Sequence, residues 1–107
     1  MNEKIWFTYI IVADDDQLYT GITTDINRRW QEHSAGKGAR YFRGRQPTYL
    51  CYLETYQNRS EASKQEAFIK SLPRAKKILL IESTYSQTLN NLPPTDLPIY
   101  VLKTTSL

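Results

Sequence analysis

Between Thr24 and Gly36 the chain offers its clearest chemistry. Thr24 or Asp25 can cap a helix running to about Ala35, and Gly36 can stop it. At ~100° per residue, Ile26, Arg29, Trp30 and His33 then share the stripe that should face a core. Half of that stripe is polar. An inward guanidinium and an inward imidazole are costly unless something partners them. Either Arg29 lays its stem on Trp30 and sends its charge to water, or the two polar residues face a site. In a site, a forked permanent cation would grip an anion and an imidazole would orient or relay a proton. Arg28, Asn27 and Gln31 read as the wet face of the same helix.

Glu66 makes a milder case. Ala62, Phe68, Ile69 and Leu72 form the apolar arc of a later helix, with Glu66 on its rim. A rim carboxylate can look into a cleft and offer an oxygen ligand to a hard cation such as magnesium. Alternatively it pairs with Lys70 one turn on, worth a few tenths of a kcal/mol. Tyr9 and Tyr19 are the remaining candidates, and as single residues they fit ordinary strand filling equally well.

These groups need elements to hold them. Ile5 to Val12 is apolar and β-branched without a helical period, so it predicts a strand buried on both faces. Asp14-Asp15-Asp16 signals a turn into a second strand, Gln17 to Ile22. A turn centred on Asp14 places Tyr9 opposite Tyr19, with Cβ atoms ~5 Å apart. Gly21 leaves room for a close approach of another group. A third strand is expected over Tyr49 to Tyr56 and holds Cys51. Ser60 is expected to cap a long helix to Leu72, where Pro73 interrupts it. A shorter helix follows from Arg74 to about Glu82. The rest, with Pro93, Pro94 and Pro98, predicts a loop with one edge strand at Ile99–Leu102.

At 107 residues the chain has material for one core, since a second needs roughly another hundred. Hydrophobic residues are 40%, too many for a disordered chain. No apolar run approaches the ~20 residues that cross a bilayer, and no basic-then-apolar leader opens the sequence, so a cytoplasmic location is expected. One Cys and one His exclude a disulfide framework and the common zinc sites. The net charge of +3 is uneven. Residues 1–27 hold one Lys against five acids, a net −4, while residues 28–82 hold twelve Lys or Arg against five Glu, a net +7. A basic middle is either a polyanion footprint or a solvated surface.

Taken in order, Tyr9, Tyr19-Thr20-Gly21, Arg29, His33 and Glu66 resemble the GIY-YIG nuclease superfamily, in its small stand-alone bacterial branch. The nuclease domain of the excision-repair protein UvrC and the Slx1 nuclease are similar. Leu18 to Asp25, Arg28-Arg29, Glu32-His33 and Gly36-Lys37-Gly38-Ala39-Arg40 carry the likeness most specifically, and it spans about Trp6 to Glu82. The first motif keeps only its tyrosine, the second has Thr20 in its middle, and no asparagine lies between Arg74 and Ile81. The resemblance implies a small, mainly antiparallel three-stranded sheet flanked by helices, an α/β (α+β) domain over residues 1–82 with 83–107 as a tail. It implies catalytic roles for Tyr9, Tyr19, Arg29, His33 and Glu66, with Glu66 binding Mg2+ or Mn2+ and Gly21 structural.

Phosphodiester hydrolysis fits those residue types. In-line attack by water needs a base, a stabiliser of extra negative charge and help for the departing oxygen. Either tyrosine becomes a useful base only if a cation stabilises its phenolate. Lys37, Arg40, Arg43 and Arg45, interleaved with Tyr41, can hold phosphates while the ring stacks on bases, and Arg74, Lys76 and Lys77 extend the basic surface. Phe42 fits a core position equally well. Lone Cys51 reads as core. The expectation is a metal-dependent endonuclease acting on structured or branched DNA, with no membrane association and room for a protein partner. The rivals are a nucleic-acid-binding module of the same fold without turnover, and a partner-dependent nuclease subunit.

Overall fold

A computed structural model describes residues 4–103. Its elements run β1 (Trp6–Ala13), β2 (Leu18–Thr23), α1 (Ile26–Ser34), a 3-10 turn (Arg40–Arg43), β3 (Pro47–Tyr56), α2 (Arg59–Ser71), α3 (Arg74–Ser83) and α4 (Tyr85–Asn91). The sheet is antiparallel throughout, in the order β2-β1-β3. Its class is the α+β arrangement expected.

Central position explains the unbroken apolar run of β1. Tyr9, Ile11 and Ala13 join Ile26 and Trp30 of α1, Phe42, Leu50 and Leu53 in one core. Ile10 and Val12 join Cys51, Tyr52, Ile69 of α2 and Ile78 and Ile81 of α3 in another. A strand covered on both faces has no reason to alternate.

The hairpin register differs from the expected one. The pairs Val12↔Leu18, Ile11↔Tyr19 and Tyr9↔Gly21 centre the turn on Asp15. Ala13 N donates to Gln17 O, and Asp16 N to Ala13 O, closing a three-residue loop with Asp16 at φ +65°. Aspartate is among the few residues that tolerate the left-handed region. Tyr9 therefore faces Gly21, and Tyr19 is its diagonal neighbour on the same sheet face.

Local capping sets the helix ends. Asp25 Oδ1 accepts from Arg28 N at 3.1 Å, which starts α1. Gly36, at φ +71°, ends it: Gly36 N donates to His33 O and Lys37 N to Glu32 O, a Schellman pair. α2 starts two residues earlier than expected, because Asn58 caps it by accepting from Glu61 N at 2.9 Å. Leu72, extended before Pro73, separates α2 from α3.

Residues 85–100 fold onto the β3 edge. The helix α4 was not foreseen, since its polar residues carry no strong apolar period. Its Thr88 Oγ1 accepts from Leu53 N at 3.2 Å, and Asn91 Nδ2 donates to Leu53 O at 2.8 Å. The expected strand at Ile99–Leu102 is a single parallel bridge, Leu50↔Ile99, made by Leu50 N to Pro98 O and Tyr100 N to Leu50 O. Pro98 has no N–H with which to extend it. No helix among the described residues is long and apolar enough to cross a membrane.

Candidate active site

The strand β2 is an edge, and along its last residues runs a cleft of about 560 Å³. One wall is α1, with Arg28, Arg29 and Glu32; the other is α2, with Arg59, Ser63 and Glu66. Tyr9, Tyr19 and Gly21 form the floor. Four groups chosen from sequence, Tyr9, Tyr19, Arg29 and Glu66, thus meet in one cleft from four different elements.

Glycine makes the floor possible. A β-carbon on Gly21 would lie 2.5 Å from Tyr9 Oη and 2.7 Å from its Cζ. Only a residue without a side chain lets the Tyr9 ring cross β2 and reach the cleft. The Tyr9 and Tyr19 rings lie 6.2 Å apart.

His33 stands behind Tyr9, fully buried, and does not line the cleft. Its Nε2 is 2.8 Å from Tyr9 Oη, while Nδ1 has no partner among the described residues. Rings surround it: Phe42 at 4.3 Å, Tyr19 at 5.3 Å. Burial, helped by the charge of Arg29, pushes its pKa down to about 4, so the imidazole is neutral at pH 7. Burial raises the Tyr9 phenol above the ordinary range and the neighbouring Tyr19 adds to this; Arg29 pulls it down.

Arg29 is held rather than left to solvent. Its Nη1 donates to Glu32 Oε1 at 2.9 Å, and its Nε is buried without a hydrogen-bond partner among the described residues. Glu32, which Arg28 also approaches at 4.0 Å, is kept below the usual carboxylate range by Arg29. Glu66 makes the expected pair with Lys70, 3.1 Å from Nζ to Oε2. Pair and cleft are not alternatives, because the carboxylate has a second oxygen. Among the described residues no group of three or more His, Cys, Asp or Glu is placed to hold a metal. With Glu32 committed to Arg29, the cleft offers one carboxylate. That donor set fits a magnesium-like ion, which keeps most of its waters and takes further oxygens from a substrate phosphate; it does not fit zinc.

The basic residues expected to bind nucleic acid lie outside the cleft. Lys37, Arg40 and Arg43 are exposed on the loop after α1. Arg45 is paired with Asp15 at 2.6 Å and lies 4.3 Å over the Tyr41 ring, which packs on Tyr19. Lys76 is exposed, and Lys77 with Arg74 flanks a small depression beside Gln17 and Leu18. The two basic segments therefore approach each other near the β1–β2 turn. Cys51 is buried in the core.

Sequence reasoning missed Trp6, Arg28, Glu32, Arg59 and Ser63 in the cleft. Arg59, Ser63 and Glu66 are an i, i+4, i+7 stripe, legible once Asn58 is recognised as the cap. Asn58 with Glu61 three residues on was that signal.

A family model described as the GIY-YIG catalytic domain matches residues 5–78. A UPF0213 protein of Desulfotalea psychrophila is 52% identical over 84 residues, 78% of this chain and 76% of its own length. One from Haloquadratum walsbyi is 49% identical over 76 residues, 71% of this chain and 85% of its own. The solution NMR structure of a UPF0213 protein from Bacillus halodurans superposes with a TM-score of 0.52 at 35% identity, over 85% of this chain and 99% of that one.

Proposed function

Because this chain belongs to the GIY-YIG family, whose domain is that of a nuclease, we propose that it is an endonuclease hydrolysing phosphodiester bonds in structured or branched DNA, with Mg2+ or Mn2+ as cofactor. One observation carries the reading: two phenols, a guanidinium and a carboxylate line a single open cleft.

Arg29 lines the cleft with a permanent, forked charge that can grip the phosphoryl oxygens as negative charge builds on them. Its charge also favours phenolate at Tyr9. Tyr9, rather than Tyr19, shares a hydrogen bond with neutral His33, 2.8 Å from Oη to Nε2. Tyr9, as the phenolate that Arg29 favours, takes the proton that water loses, the hydroxide attacks phosphorus in line with the departing oxygen, and neutral His33 holds the Tyr9 oxygen in place from behind. Tyr19 packs the far side of the Tyr9 ring and His33, keeping both in place. Glu66 would hold the metal, which when bound polarises the phosphate and eases departure of the alkoxide.

Branched DNA incubated with Mg2+ or Mn2+ tests this. Wild type should cut, while Glu66→Ala and Arg29→Ala should bind the same DNA and lose cleavage by ~100-fold or more. A wild-type chain that binds but never cuts with either metal would instead be a nucleic-acid-binding module.

A further inference from the structure

One end of the cleft takes no part in that chemistry. Trp6, the first residue of β1, and Arg59, the first of α2, meet there, with Arg59 Cζ 5.7 Å from the indole centre. Both line the same cleft as Glu66. Arg59 is exposed and stands in the first turn of its helix, where the dipole disfavours a cation. It joins none of the ion pairs among the described residues. Trp30 is packed in the core, whereas Trp6 is only half-buried. A large ring and an unpaired guanidinium at a cleft wall have little to do for folding, and together they form a flat face with positive charge beside it.

Distance says what such a face would meet. Arg59 and Glu66 are seven residues apart on one helix, ~10 Å along its axis. That is too far to touch the same linkage as Glu66. It matches two or three nucleotides along a stacked strand, at ~3.4 Å each. Bases inside a duplex are stacked on both sides, so a protein ring can take only one that is unpaired.

We infer that Trp6 and Arg59 form a nucleobase subsite, in which an unpaired base flanking the cleaved linkage stacks on the indole while Arg59 holds it from the side or grips its phosphate. This deepens the endonuclease reading and rests on it. It supplies a physical reason for a preference for branched or frayed DNA: the cleft engages fully only where a strand has left its duplex.

The test uses the whole chain in EDTA, to stop cleavage, and a set of branched DNAs whose single-stranded arm carries one abasic residue at successive positions from the junction, which fixes the register. Binding is followed by anisotropy of a labelled strand and by tryptophan emission, to which buried Trp30 gives a constant background. Wild type should show saturable quenching of Trp6. One abasic position should weaken binding by about 5- to 150-fold, the range of base–aromatic stacking. Trp6→Leu should lose the quenching and be indifferent to that abasic position; Trp6→Phe should restore the sensitivity in part. An abasic series that costs Trp6→Leu as much as wild type overturns the subsite, as does a wild-type series with no position-specific cost, an arm independent of whether Trp6→Leu folds. If wild type cuts DNA in Mg2+ yet shows no coupling, the subsite alone is wrong. If wild type neither binds nor cuts nucleic acid, the endonuclease reading fails with it.

Discussion

The guanidinium of Arg29 rests on the α-carbon of Gly38. A β-carbon there would collide with Arg29 Nη1 and lie 3.1 Å from Cζ, and Gly38 has a φ of +83°, where side chains are strained. The loop that carries Lys37, Arg40 and Arg43 thus abuts the cleft's arginine through a residue with no side chain, and Glu32 holds the same guanidinium from another direction.

Gly38→Ala should therefore destabilise the fold by about 1–2 kcal/mol and displace Arg29. In an Arg29→Ala background only the backbone strain remains, so the cost should shrink by at least ~0.5 kcal/mol. Urea midpoints of the four chains measure this coupling, and additive effects would mean that the contact is energetically idle.

His33 makes stability sensitive to mild acid. Its folded pKa of about 4 lies below the ordinary 6.5, so as pH falls the unfolded chain takes up a proton that the folded one refuses. The stability from this residue is complete above pH ~6.5, falls as pH drops toward 4 and levels off below it, a loss of up to about 3 kcal/mol. Glu32 and Asp15, held low by Arg29 and Arg45, titrate only at the acid end. Urea unfolding between pH 7 and 5 isolates the histidine, and His33→Gln should flatten the curve there.

Lys70 shares Glu66 with any metal. Lys70→Ala should lower the Mg2+ concentration for half-maximal cleavage while changing stability by less than ~0.5 kcal/mol, since the pair is a partly exposed i, i+4 contact. A titration of rate against Mg2+ decides it. An unchanged midpoint would show that the amine does not compete.

Salt dependence separates free from committed cations. Lys37→Ala, Arg40→Ala and Arg43→Ala should each reduce the slope of log affinity against log salt by ~1 if they contact phosphate. Arg45→Ala should change it less, because Asp15 already holds that guanidinium. Anisotropy titrations at several salt concentrations read the slopes directly.

Thr88 seals the outer edge of β3. Thr88→Val leaves Leu53 N–H buried without its acceptor and should cost about 1–3 kcal/mol in urea unfolding. A neutral result would mean that α4 merely lies against the sheet.

Much of this was legible in the chain itself. The apolar run of β1, the aspartate and glycine that bound α1, and Pro73 between two helices are local signals that tertiary contacts did not override. The polar stripe of Arg29 and His33 called for partners, because buried charge and buried imidazole are costly without them, and the fold supplies Glu32 and Tyr9. Two helices differ from the sequence reading: α4, which carries no such signal, is held by contacts with β3, and α2 starts at the Asn58 cap rather than at Ser60, although Asn58 with Glu61 is itself a local capping signal.

Sequence alone determined the residue types, the order of elements and the family likeness, since these depend on neighbours along the chain. Tertiary structure decided the rest. A one-residue change in where the turn centres put Gly21, not Tyr19, opposite Tyr9. Folding set Glu32 against Arg29, turned Arg45 toward Asp15 and brought Arg59 over Trp6. Those pairings join residues from separate elements or choose among rotamers. For the two pairs between separate elements the energies depend on distance in space, which no spacing along the chain reports; for Arg29 and Glu32, three apart on one helix, spacing permits the pair and packing selects it.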